Sequence, residues 1–138
     1  MRKFAPQVSF LLLVLSAAIT LACGSGLHIP QSVVVNPANA NGEDYPAAGV
    51  PFTATVYYET KPSPVSPAQA SWNACFQGGP TNGVSVSSSG VAQCSASGVY
   101  TIYAFVPNPA EKGICGSSSL PCGGSCGGVV GMAQLTCP

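Results

Sequence analysis

Charged side chains are nearly missing from this sequence. Of 138 residues, four are Lys or Arg, four are Asp or Glu, and one is His. Binding nucleic acid takes a stripe of cations to neutralise phosphates, so that class of partner is excluded. The single histidine, His28, has no second His near it, which argues against a metal or catalytic role and reads as a solvated linker residue. The chain also lacks His-Glu-x-x-His, a phosphate loop ending in Gly-Lys-Ser/Thr, and Cys-x-x-Cys. Nothing in the pattern brings the carboxylates Glu59 and Glu111 together. These gaps leave no catalytic residues and no cofactor to expect, and the chain reads as a non-enzyme. A sustained helical period is missing after residue 23 as well, which excludes a helical bundle.

What is present begins with an export signal. Met1, Arg2 and Lys3 make a cationic start, and Phe10 to Ala22 is an uncharged, mostly apolar run of 13 residues. A membrane span needs roughly 20 apolar residues, so the run fits the h-region of a signal peptide better than a transmembrane helix or a buried core helix. Ile19-Thr20-Leu21-Ala22-Cys23 resembles the lipobox of bacterial lipoproteins, with Thr20 in place of the usual Leu. The resemblance implies cleavage before Cys23 and a diacylglycerol on its sulfur. With no Asp after the cysteine, it further implies the outer membrane or cell surface. Ordinary signal cleavage with Cys23 as a free or pairing thiol is the alternative. The expected organisation is residues 1–22 as signal peptide, 23–31 as lipid-anchored tether and 32–138 as one domain. The mature 116 residues carry Lys61 and Lys112 against Glu43, Asp44, Glu59 and Glu111, a formal charge of −2.

The seven cysteines fit export. If Cys23 is lipidated, Cys75, Cys94, Cys115, Cys122, Cys126 and Cys137 remain, enough for three disulfides. Cys75–Cys94 is the favoured pair, because both end neighbouring strands in the chain. Cys94–Cys137 is the rival, since a last strand antiparallel to 99–106 returns Cys137 towards Cys94. Zinc is the alternative use of the four tail cysteines. Their spacing, Cys-x6-Cys-x3-Cys-x10-Cys, lacks the knuckle zinc sites favour. Glu43-Asp44 with Asn39 or Asn41 is a thin candidate for calcium, which wants six or more oxygens; a solvated loop is the plainer reading.

The rest of the pattern is β. Val33-Val34-Val35 is β-branched and ends at Asn36-Pro37. Along 50–59, Phe52, Ala54, Val56 and Tyr58 share one face, a period of two that marks a half-buried strand. The prolines of Lys61–Pro67 make a stiff connection. Strands are expected at 70–75, 84–86, 91–94, 99–106 and 127–136, the last weakened by its glycines.

Taken in order, several segments resemble a bacterial Ig-like domain of the group 2 kind. They are Val33–Pro37, Gly49–Val56, Trp72, Val84–Val86, Ser89–Ala92 and Gly98–Ala104, spread over roughly residues 31 to 137. The resemblance implies an all-β, immunoglobulin-like β-sandwich of about seven strands, here with a disulfide-rich C-terminal loop that the family usually lacks. It implies Trp72 between the sheets and Tyr100 in a tyrosine corner. Ile102 takes the place of the second core cysteine of antibody-type domains, with Phe52, Ala54 and Val56 on the facing strand. It also implies a non-catalytic cell-envelope module, structural or adhesive, held to the membrane through Cys23 and meeting a surface protein or glycan. The loops Lys61–Pro67 and Asn108–Gly128 are the candidate contact surfaces. The alternative is a secreted small-ligand or glycan-binding protein using Tyr57, Tyr58 and Tyr103, although alternation puts Tyr57 and Tyr58 on opposite faces.

Overall fold

The computed structural model describes residues 27–46, 48–111, 122 and 127–138. Ten strands are present among them: β1 (Pro30–Asn36), β2 (Asn39–Asn41), β3 (Val50–Pro51), β4 (Thr53–Tyr58), β5 (Ser71–Phe76), β6 (Gly79–Pro80), β7 (Val84–Val86), β8 (Val91–Cys94), β9 (Gly98–Pro107) and β10 (Gly128–Cys137). The expected seven are all there. The extra three arise because β3 and β4 are one run broken at Phe52, β1 continues into β2 on another sheet, and β6 is a two-residue edge.

The strands form two layers. One holds β1 against β4 and β3 against β8 and β7. These pieces join through Phe52, whose N–H donates to the Gly90 carbonyl at 2.9 Å. The other layer has the order β2-β10-β9-β5-β6. The first strand thus leaves one layer after Asn36 and pairs in parallel with the last strand, Asn39 to Asn41 beside Gln134 to Thr136. All other pairs are antiparallel. This is the immunoglobulin-like sandwich that the resemblance implied, all β, where the short strands alone pointed to a sandwich or barrel.

The core follows from the alternation. Val33, Val35, Val50, Phe52, Ala54, Val56, Val84 and Ala92 from one layer meet Ala74, Tyr100, Ile102, Ala104, Val106, Ala133 and Leu135 from the other. Phe52, Ala54, Val56 and Ile102 are all buried, so apolar packing fills the place of the antibody-type disulfide. Trp72 is half-buried and packs on this core. Gly131 explains why a glycine-bearing last strand persists. A Cβ there would lie 2.8 Å from the Val33 side chain and carbonyl, so its absence lets β1 cross β10 closely.

Tyr100 forms the expected corner. Its ring is buried, and its hydroxyl donates to the Ala96 carbonyl at 3.1 Å, with the Ser97 carbonyl at 3.4 Å. Tyr100→Phe keeps the ring and loses the bond. The expected cost is about 1 kcal/mol, read as a lower urea midpoint with an unchanged slope.

The disulfide pairing corrects one expectation. Cys75 bonds Cys122 and Cys94 bonds Cys137, so the favoured Cys75–Cys94 pair does not form and its rival does. The reason is the facing of the side chains: β5 and β8 lie in opposite layers, with β6 and β7 between them in the chain. Cys75 sits on the face of β5 opposite Ala74, which is in the core, so it points out of its layer, away from β8. Cys137 pairs with Gly98 in register, four residues past Cys94, which brings the bonding partners together. Cys94–Cys137 therefore cross-links the two layers at one end of the sandwich.

Candidate functional site

The sandwich has two ends, and the sequence sorts its features between them. At one end β1 begins, β4 finishes, and β9 turns into β10 at Pro107 opposite Gly128. The segment 59–70 joins β4 to β5 at this end. So both suggested contact loops, Lys61–Pro67 and Asn108–Gly128, are rooted where the tether enters. The second of them does not stay there. Its Cys122 is bound to Cys75, four residues along β5, about 13 Å towards the other end. Cys115 and Cys126, along with Cys23 and residues 1–22, expected as a signal peptide, lie outside the described residues.

His28 and Ile29, placed in the expected tether, are docked on the fold, which corrects the reading of His28 as a solvated linker residue. His28 is half-buried. Its ring stacks on Tyr58 with centroids 3.8 Å apart and planes 25° apart, and its Nδ1 lies 2.9 Å from the Thr60 hydroxyl. The Glu59 N–H donates to the Ile29 carbonyl at 3.0 Å. These contacts begin a strand pairing that the polar, Gly-rich sequence before it did not announce.

The Pro-rich segment is also more than a connection. Val65 exchanges two backbone hydrogen bonds with Val56, at 2.9 and 3.0 Å, and the Ala68 N–H donates to the Ala54 carbonyl at 2.9 Å. It covers the edge of β4 that short β8 leaves open, between prolines that cannot donate. The Ser63 hydroxyl accepts from the Tyr58 N–H at 2.9 Å, which pins the segment beneath the tether.

The three tyrosines proposed as a ligand platform are not brought together. Tyr57 is exposed on β4, Tyr58 lies under His28, and Tyr103 is on β9 in the other layer. The calcium candidate is an exposed turn. Gly42–Asp44 forms a 3-10 turn capped by Asn41, whose side-chain oxygen accepts from the Glu43 N–H at 3.1 Å. Among the described residues, no group of three or more His, Cys, Asp or Glu could hold a metal ion. Two of the four tail cysteines considered for zinc are committed to disulfides, which removes that ligand set.

Concave surface lies at the far end. One open concavity of about 530 Å³ runs between the Gly42–Tyr45 turn, Gln93, Cys94 and Pro138. A second, about 390 Å³, lies between the same turn and Pro37–Asn41. Tyr45 lines both and is exposed. The sequence offered no signal for this, because the walls come from the turn after β2, the end of β8 and the C-terminus.

Neither a family model nor a curated protein matches the chain.

Proposed function

We propose that the chain is a non-catalytic cell-envelope lipoprotein, one Ig-like module of the group 2 kind held to a membrane by Cys23, with a structural or adhesive role. The observation that carries the reading is how the cysteines divide. Four of the seven are committed to disulfides inside the fold, which is the mark of an oxidising, extracytoplasmic environment. Cys115 and Cys126, outside the described residues, would make the third pair on this reading. That leaves Cys23 as the odd cysteine, at the foot of an apolar run and five residues before the docked His28. No helix among the described residues is long and apolar enough to cross a membrane. Attachment by lipid is what the lipobox-like Ile19–Cys23 supports.

The partner on this reading is the membrane through the anchor, with a surface protein or glycan met by the exposed domain. The test is a Cys23→Ser variant expressed in a bacterium that processes lipoproteins. The expected result is that the wild-type chain partitions into detergent with the membrane fraction, whereas Cys23→Ser is released as a soluble, disulfide-bonded domain. Equal partitioning of the two would overturn the lipid-anchor reading.

A further inference from the structure

We propose that the sandwich stands on the membrane by its tethered end, with Lys61–Pro67 against the lipid surface and the Gly42–Tyr45 end facing outward. The inference rests on the lipid-anchor reading and adds an orientation to it. The first support is length. Because His28 is held on Tyr58 and Thr60, at most five residues, 23–27, separate an anchor on Cys23 from the fold. Five extended residues reach about 17 Å. The ten residues of β9, which run from one end of the sandwich to the other, span about 33 Å. The anchor therefore cannot lie beneath the far end, and the domain cannot invert.

The second support is what each end exposes. The tethered end offers exposed Leu27, Pro62 and Pro64 with Lys61, whose stem and ammonium suit a headgroup layer. Glu59 and Glu111 are also there, so the charge is mixed and tether length, not attraction, sets the orientation. Glu43 and Asp44 are exposed at the far end, where Lys61 is absent and an anionic surface would repel them. The consequence reverses the expected roles of the loops. Lys61–Pro67 is buried against lipid, and the outward contact surface is the end built around Tyr45 and its two concavities.

The experiment uses full-length lipidated protein in vesicles of phosphatidylcholine and phosphatidylglycerol, after its mass has shown the diacylglycerol. Exposed Lys61 and Gln93 are replaced singly, Lys61→Cys and Gln93→Cys, and labelled with a fluorophore on the oxidised protein. Lipids carrying a headgroup quencher should quench position 61 severalfold more than position 93. A Gly-Ser insertion of about 20 residues between Gly26 and Leu27 adds a reach on the order of 25 Å and should abolish the difference. Hydroxyl-radical footprinting of the unsubstituted protein gives the same comparison without new thiols, with Pro62–Pro67 protected on vesicles and Tyr45 reactive. A lipidated protein whose two positions are quenched alike, or whose Pro62–Pro67 stays reactive, overturns the orientation alone. A chain without lipid overturns the orientation and the anchor together.

Discussion

Replacing both Cys94 and Cys137 by alanine should cost about 4 kcal/mol of stability. The bond closes a separation of 43 residues. In the chain-entropy picture, opening a loop of that size returns about that much freedom to the unfolded chain. The effect should exceed the entropy term's usual shortfall, because the bond joins β8 to β10 across the two layers. β8 has only four residues and pairs with β3 over two of them. Without the link, the edge formed by β7 and β8 is held mainly by Val84, Ala92 and the Phe52–Gly90 hydrogen bond. Urea unfolding of the double variant should show a lowered midpoint, and hydrogen exchange should speed first in β7 and β8. A midpoint within error of the parent would mean that the layers are joined by packing alone.

Gly90→Val should destabilise by about 3 kcal/mol, as a backbone and packing fault at once. Gly90 ends the turn between β7 and β8 with φ of +85°, a conformation that β-branched residues avoid. An added Cβ would lie 2.5 Å from the Phe52 carbonyl oxygen and 2.9 Å from the Trp72 ring. Neither neighbour can move freely, since Phe52 is buried and donates its N–H to the Gly90 carbonyl, and Trp72 packs on the core. The exposed Ser88→Ala in the same turn is the control and should change the urea midpoint little. If both substitutions behave alike, Trp72 does not reach across the layers as described.

How much of this could be read from the residues depends on the range of the signal. The alternation of Phe52, Ala54 and Val56, the β-branched start at Val33 and the aromatic run to Val106 are local patterns, and each became the strand expected of it. Tyr100 and Ile102 also sit as the Ig-like resemblance implied, because the corner is built within five residues. The failures are long-range. Cys75 and Cys94 are close along the chain, but Cys75 faces out of the layer opposite β8 and so away from Cys94. Cys122 reaches Cys75 because β5 turns that side chain away from the core, which sequence order does not encode. His28 looked solvated because its partners, Tyr58 and Thr60, lie some thirty residues on. Tyr45 carried no pattern at all, since the walls of its concavities come from three separate segments.

The most direct test of a lipid-anchored module stapled by disulfides is the intact mass of the native protein from membranes, before and after reduction and alkylation. The expected result is a mature chain starting at a diacylglycerol-bearing Cys23, with six alkylated thiols appearing only after reduction. An unlipidated chain, or tail thiols that alkylate without reductant, would contradict it.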